Sequence, residues 1–306
     1  MQFHGESLDE AMCFGLASGI QAAYFKGDSE SPPRQIHGRG PNLETDFCEN
    51  MELDWQYNVE ADPDLAWKGV KRAVDSGLPP MIRTDLFHLD YYQTRTHFSG
   101  HVIVMVGYDD EQKIVYCSDN EFEDIQVTGY ASLRKARVSQ HPPQLLQNDW
   151  IEIRGGPGIP LEEAIRRALN KSAAYMLAVG SDLFGLDRLK AAASEVPAWR
   201  DLPDLAWTAR FAYQLIERRG SGGASFRNLY AAFLNQAEAA LPELSGSGLS
   251  DRMGEVAGLW TETAMVFKEI SEGTDASGLD RAAELLTRIE SGERSIFEEI
   301  KTRLKS

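Results

Sequence analysis

A chain of 306 residues is long enough for two domains of ordinary size, each burying a core of its own. With 42% hydrophobic and 25% charged residues it reads as a soluble globular protein; no charged-then-apolar leader opens it, and no apolar run reaches the roughly 18 residues of a membrane span. The net charge of −16 excludes nucleic acid and anionic membrane as expected partners, and three cysteines without a CxxC spacing point to a reducing cytoplasm rather than to disulfides or a zinc cluster.

Taken in chain order, Ser7-Leu8-Asp9-Glu10 has the form of a capping box, with Ser7 as N-cap, and predicts a helix running on through Phe25. Cys13 falls in its second turn. A thiol near a helix N-terminus can act as a nucleophile, whereas one packed in an apolar helix is inert, so Cys13 is a candidate nucleophile with the packing reading beside it. Residues 27–42 are punctuated by Gly and Pro and read as a surface loop. Alternation over 53–62 predicts a short strand, and 63–77 an amphipathic helix with Pro63 at its first position and Gly77 at its C-cap. Residues 78–87 form the next strand, followed by a polar, aromatic loop, LDYYQTRTHFSG, that leads to His101.

The run HVIVMVGY from His101 is apolar on both faces, and an acidic turn separates it from KIVYCSD, so the two predict an antiparallel hairpin. Pairing Gly107 with Lys113 across a five-residue loop places His101 directly opposite Asp119 on one face, with Cβ atoms about 5 Å apart. A slip of one residue would separate them. A carboxylate beside an imidazole fixes its tautomer and stabilises the imidazolium, as a general base requires; the alternative is a structural pair that ties the hairpin. His88, His97 and His101 raise a metal site, but the last two straddle a Ser-Gly turn and need not converge, so no metal is expected.

DIQVTG predicts another strand and YASLRKAR a short basic helix. SQHPPQLLQN reads as a linker, and DWIEIRGG as one further strand. From Pro160 onward the periodicity predicts about seven helices, the last two split at Ser291-Gly292. RRGSGGASFR (218–227) stands out among them, either as a helix–helix turn with Ser225 as N-cap or as an anion site using Arg219 and Arg227. The expected organisation is therefore α+β, with an α+β domain over 1–140 and an all-α domain over 141–306.

LDEAMCFGLASG after Gly5, DLFHLDYY, HFSGHVIVMVGYDDE and SDNEFEDIQ…SLRKAR resemble the N-terminal domain of the butirosin-biosynthesis acyltransferase family. IERRGSGGASFRNLYAAFL resembles the helical domain of unknown function that often follows it. The resemblance implies a papain-like, cysteine-peptidase-type N-terminal domain and a helical companion. It implies an acyltransferase of secondary metabolism (antibiotic biosynthesis) that moves an acyl or aminoacyl group from a carrier-protein thioester to an amine. His101 would be the general base, Asp119 its orienting partner, and Arg219 or Arg227 would face the donor. No cofactor is implied beyond the phosphopantetheine thioester on the acyl carrier protein; the other partner is a small-molecule amine, and a homo-oligomer stays open. Because carriers are generally acidic, docking would use a local basic patch, with Arg166, Arg167, Lys171 and Arg218 as candidates. In the family the nucleophilic cysteine stands upstream of the glycine here numbered Gly5, so this chain is expected to lack that segment and no cysteine of it to complete a dyad with His101. The competing readings are a cysteine peptidase or amidase using the same pair, and a non-catalytic binding module on this scaffold.

Overall fold

The structure is a computed structural model that describes residues 5, 7–28, 31–141, 144–273 and 277–305. The first helix, α1 (Glu10–Leu16), is shorter than its apolar text suggests. Asp9, not Ser7, is its N-cap, accepting from the Met12 amide at 2.8 Å. The expected continuation is overturned at Ser18, which takes a positive φ of 46°, and at Gly19, where a Cβ would meet the Phe14 ring at 2.5 Å. Past this corner IQAAYFK forms a strand, β1 (Ile20–Lys26), paired antiparallel with β2 (Arg34–Arg39) inside the segment read as loop. Helix α2 (Leu43–Asn50) follows.

The next elements are β3 (Trp55–Asn58), α3 (Pro63–Asp75), β4 (Met81–Thr84), β5 (His101–Asp109), β6 (Ile114–Ser118), β7 (Gln126–Gly129), α4 (Tyr130–Ala136) and β8 (Trp150–Ile153). Helix α3 has the expected start, with Pro63 in its first turn and Asp62 capping the amides of Asp64 and Leu65. At its other end Ser76 is the C-cap, and Gly77 with φ 76° turns the chain out. The strands form one antiparallel sheet in the order β3-β8-β4-β5-β6-β7. Ala66 and Val70 of α3 and Leu133 and Ala136 of α4 bury against Ile82, Ile103, Met105, Val115, Cys117 and Trp150. Close approach of α3 requires Gly69, since a Cβ there would lie 2.8 Å from the Trp150 ring.

Among the described residues six α-helices follow: α5 (Leu161–Met176), α6 (Leu186–Glu195), α7 (Leu205–Glu217), α8 (Arg227–Ala240), α9 (Leu249–Gly273) and α10 (Gly278–Arg303). The last two expected helices are one. Gly292 lies inside α10, where a Cβ would meet Val256 of α9 at 2.9 Å, so this glycine allows close helix contact rather than ending a helix. None of the described helices is long and apolar enough to cross a membrane.

The chain forms two compact units, and their limits differ from the expected 1–140 and 141–306. Leu53–Pro157 is the sheet unit, so β8 belongs with the strands. Met1–Glu52 and Gly158–Ser306 make the helical unit, which is consequently not all-α: it includes the β1–β2 hairpin. The physical reason is where the early apolar residues bury. Phe14 stacks on Phe226 at 5.3 Å and Tyr24 on Trp199 at 6.5 Å, while Gly15 lies flat against the Phe233 ring.

Candidate functional site

The sheet unit holds two histidine–carboxylate pairs. His101 opens β5, where its backbone pairs with Thr84 of β4; Asp119 stands just past the end of β6. Their side chains meet at 2.7 Å, His101 Nε2 to Asp119 Oδ2. The contact arises from a register other than the expected one. Met105 faces Cys117, where pairing Gly107 with Lys113 would have put Val115 opposite it. Displacement by two residues preserves the face of every side chain, so His101 and Asp119 remain neighbours on a diagonal. A β-bulge between Met105 and Gly107 absorbs the odd residue nearer the turn and leaves Val106 exposed.

Asp119 is fully buried at its side chain and His101 only 11% exposed. Tyr91 donates its hydroxyl to Asp119 Oδ2 at 2.9 Å, Tyr92 to Oδ1 at 3.3 Å, and the Glu121 amide to Oδ1 at 3.2 Å. Burial pushes this carboxyl up, but the His101 ring, the Glu121 amide and the Tyr91 hydroxyl outweigh it and hold it below its ordinary value. The Tyr92 hydroxyl also lies 3.3 Å from His101 Nε2, and the two rings meet edge to face. With Nε2 turned to an ionised acceptor, the proton of a neutral ring sits there and Nδ1 carries the lone pair. That is the arrangement of a general base. Nothing in the LDYYQ pattern marks the two tyrosines beyond their place in the loop leading to His101; their hydroxyls reach Asp119 only because that loop folds back on β6.

The second pair is Asp85 and His97, Oδ2 to Nδ1 at 2.7 Å. Asp85 follows β4 directly and is fully buried at its side chain. The amides of Phe87 and Phe98 donate to its Oδ1 at 3.1 and 2.9 Å, and the Ser139 hydroxyl to Oδ2 at 2.6 Å. Burial raises this carboxyl, yet the Ser139 hydroxyl, His97 and the two amides bring it down to about 2. His97 is sandwiched between Phe87, at 3.9 Å, and His141, at 3.5 Å, with His88 edge-on at 5.6 Å. His97 and His101, which need not have converged across the Ser-Gly turn, do go to separate carboxylates, whereas one ligand atom each of Asp85, His88 and His97 lies within 4.8 Å of the others, a grouping that was not expected.

Cys117 of the same unit is buried in the core of the sheet, and burial, with Asp119 adding to it, pushes its thiol up to about 12. The other two cysteines belong to the helical unit. Cys13 is half-buried in the first turns of α1, and burial, reinforced by Asp9 and Glu10 against the N-terminal charge, raises its thiol. Cys48 is wholly buried in α2, and its thiol is pushed up to about 12 by burial beside Glu44 and Glu49.

Arg227, expected to face a ligand, is completely buried in the helical unit. Its Nε and Nη2 bind Glu293 at 2.8 and 2.9 Å, Nη1 the carbonyls of Gly38 and Ser225, and Nη2 that of Gln21. Those bonds engage all five donors of a guanidinium. Trp260 adds its indole N–H to Glu293 at 2.8 Å. RRGSGGASFR therefore delivers a buried ion pair that ties α8, α9 and α10 to the β1–β2 hairpin. Ser225 is not the expected N-cap: Ala224, Ser225 and Phe226 all take positive φ, and Phe226 precedes α8. Arg219 is held by Gln214 at 2.8 Å and lies over the Phe211 ring; with Arg210, Tyr213, Gln214 and Arg218 it lines an open cleft. The other basic candidates are engaged within the unit, Arg166 by Glu243, Arg167 by Glu52 and Glu163, and Lys171 by Asp46 and Glu49.

Residues 1–120 match the family model described as Butirosin biosynthesis protein H, N-terminal. Residues 131–300 match that of a domain of unknown function, DUF4872. No curated protein matches the chain. The junction between the two matches falls inside the sheet unit, before β8 completes it. The second match covers more than half of the chain, so the protein belongs to the DUF4872 family, and in the expected order a match to the N-terminal domain of butirosin biosynthesis protein H precedes it.

Proposed function

We propose that this protein of the butirosin-biosynthesis type is a thioester-to-amide acyltransferase on a papain-like scaffold, with His101 as general base and Asp119 as the residue that orients it. The observation that carries this reading is the 2.7 Å contact from His101 Nε2 to a fully buried, ionised Asp119, which leaves Nδ1 to take a proton. In the reaction Nδ1 accepts the proton of a cysteine thiol. The thiolate attacks the carbonyl of a phosphopantetheine thioester on an acyl carrier protein, and the carrier thiol leaves with the proton from the imidazolium. The imidazole then takes a proton from the attacking amine, the amide forms and the enzyme thiolate is released. Asp119, fixed by Tyr91, Tyr92 and the Glu121 amide, stabilises the imidazolium in both halves. An acidic carrier would dock at the cleft that holds Arg218 and Arg219, and its binding would then weaken with added salt.

The test is cleavage of an aminoacyl thioester of phosphopantetheine by the 306-residue chain, its His101→Ala variant and its Cys13→Ala variant. Cleavage that falls with His101→Ala supports the reading, and a further fall with Cys13→Ala assigns the thiol to Cys13. Cleavage only by an N-terminally extended chain assigns the thiol to the added segment; no cleavage by either chain, or equal cleavage without His101, sinks the enzymatic reading. One observation favours a second reading, a non-catalytic binding module: all three thiols are raised rather than activated. Saturable binding of the acyl carrier without turnover would select it.

A further inference from the structure

The Asp85 cluster is not used by the chemistry just proposed, and its composition is unusual for a purely structural knot. Three residues from one short stretch place one ligand atom each within 4.8 Å of one another: a carboxylate from the end of β4, an imidazole from the turn that follows, and an imidazole from the loop before β5. Two imidazoles and one carboxylate form the donor set of many zinc and non-haem transition-metal centres, where bonds of about 2.0–2.2 Å bring the donors closer still.

The surroundings are those of a supported site. A ligating carboxylate in a working centre is held by hydrogen bonds of its own, and Asp85 has three besides His97: the amides of Phe87 and Phe98 and the hydroxyl of Ser139. His97 cannot swing, because Phe87 and His141 cover its two faces at 3.9 and 3.5 Å. The segment bearing His141 is itself anchored. The Ser99 hydroxyl lies 2.6 Å from both the His141 and Gln144 carbonyls, able to donate to one at a time, and accepts from the Gln144 amide, which ties His141 and Gln144 to the loop that carries His97. His88 differs from both, because no hydrogen bond from its ring is found among the described residues, and it is only partly buried. It is the one member whose donor atom is not already engaged by a neighbour.

We propose that Asp85, His88 and His97 form a binding site for a first-row divalent metal ion, of which zinc is the best fit to two imidazoles and a carboxylate. On binding, the ion takes the place of the proton between Asp85 Oδ2 and His97 Nδ1. That proton moves to His97 Nε2, so the ring stays neutral and no proton is lost from it. The remaining coordination positions are left to water; His141, the third imidazole of the cluster, stacks on the His97 ring. The site follows Thr84, whose backbone pairs with that of His101, so a bound ion would brace the loop 85–99 from which β5 and the proposed general base emerge.

The experiment is calorimetric titration of the metal-stripped full chain with zinc chloride, repeated with cobalt chloride to read coordination from the visible spectrum. The expected result is one saturable site per chain and a tetrahedral or five-coordinate cobalt spectrum. His88→Ala, which removes no hydrogen bond found among the described residues, should weaken zinc at least about ten-fold with an unchanged melting temperature for the metal-free protein. Ser139→Ala, which removes a support of Asp85 and the acceptor of the His141 amide, should weaken it by about 10–100-fold. His101→Ala should leave zinc binding as it was, which keeps this result separate from the success or failure of the acyltransferase reading. Absence of saturable binding, or zinc binding indifferent to His88→Ala and lost in His101→Ala, would overturn the proposal.

Discussion

The two histidine–carboxylate pairs of the sheet unit have the same bond length and opposite surroundings. His101 presents Nε2 to Asp119 and His97 presents Nδ1 to Asp85, and the other nitrogen of each ring has no hydrogen bond among the described residues. Asp119 is supported by two phenol hydroxyls and one amide, Asp85 by two amides and a serine hydroxyl. The two amides bound by Asp85 are those of Phe87 and Phe98, eleven residues apart, so that carboxylate closes a loop; Asp119 instead receives the hydroxyls of Tyr91 and Tyr92 beside the His101 ring. An imidazole–carboxylate contact alone therefore says little about role. The neighbours decide whether the carboxylate holds a chain segment or holds a base in readiness.

The largest expected effect is on catalysis. His101→Ala or Asp119→Asn should lower thioester cleavage by about 10²–10⁴-fold, since general-base assistance and the correct tautomer are both lost. His97→Ala should stay within about ten-fold of the parent at a temperature where it is folded. Equal losses at the two histidines would erase the distinction between the pairs.

Stability should show the reverse order. Asp85→Ala strands the hydroxyl of Ser139, a ring N–H of His97 and two partly buried amides, and should cost about 3 kcal/mol in urea unfolding. A loss under about 1 kcal/mol would show that Asp85 does not close the loop.

The third effect is a dependence on acid. The carboxyl of Asp85 is depressed from an ordinary 3.8 to about 2, so its folded form binds the proton less readily than the unfolded chain does. A depressed carboxyl contributes stability that is complete above the unfolded value and is lost as pH falls through the folded one. The contribution is about 2 kcal/mol, present above about pH 4 and lost toward about pH 2. Asp85→Asn should flatten that limb of the stability curve. Asp119 is lowered too, so Asp119→Asn should flatten it in the same direction. A limb unchanged in both variants would count against the charges assigned to these pairs.

The smallest effect is at Tyr92. Tyr92→Phe removes a 3.3 Å hydrogen bond to Asp119 and should cost about 0.5–1 kcal/mol and a few-fold in rate. A loss as large as that of Asp119→Asn would make the hydroxyl a participant in proton transfer rather than a support.

Much of this was legible in local pattern. Pro63 and Asp62 announce α3, the two apolar runs around the acidic turn announce β5 and β6, and the periodicity after Pro160 announces a row of helices, because each signal is set by neighbours within a few residues. The meeting of His101 and Asp119 was legible as well, though through parity rather than the assumed register, since a shift of two residues leaves faces unchanged. What depended on distant partners was not. IQAAYFK and RQIHGR are strands because they pair with each other and pack on helices more than a hundred residues away; Gly292 sits within a helix because Val256 presses on it. Arg227 looks like a ligand arginine in its glycine-rich stretch, and only the carboxylate of Glu293, 66 residues further on, makes it a buried strut. The sequence by itself determined which segments are apolar on which face. That Asp85 meets His97, and Arg227 meets Glu293, was decided by tertiary structure, because those contacts join residues with no local signal between them.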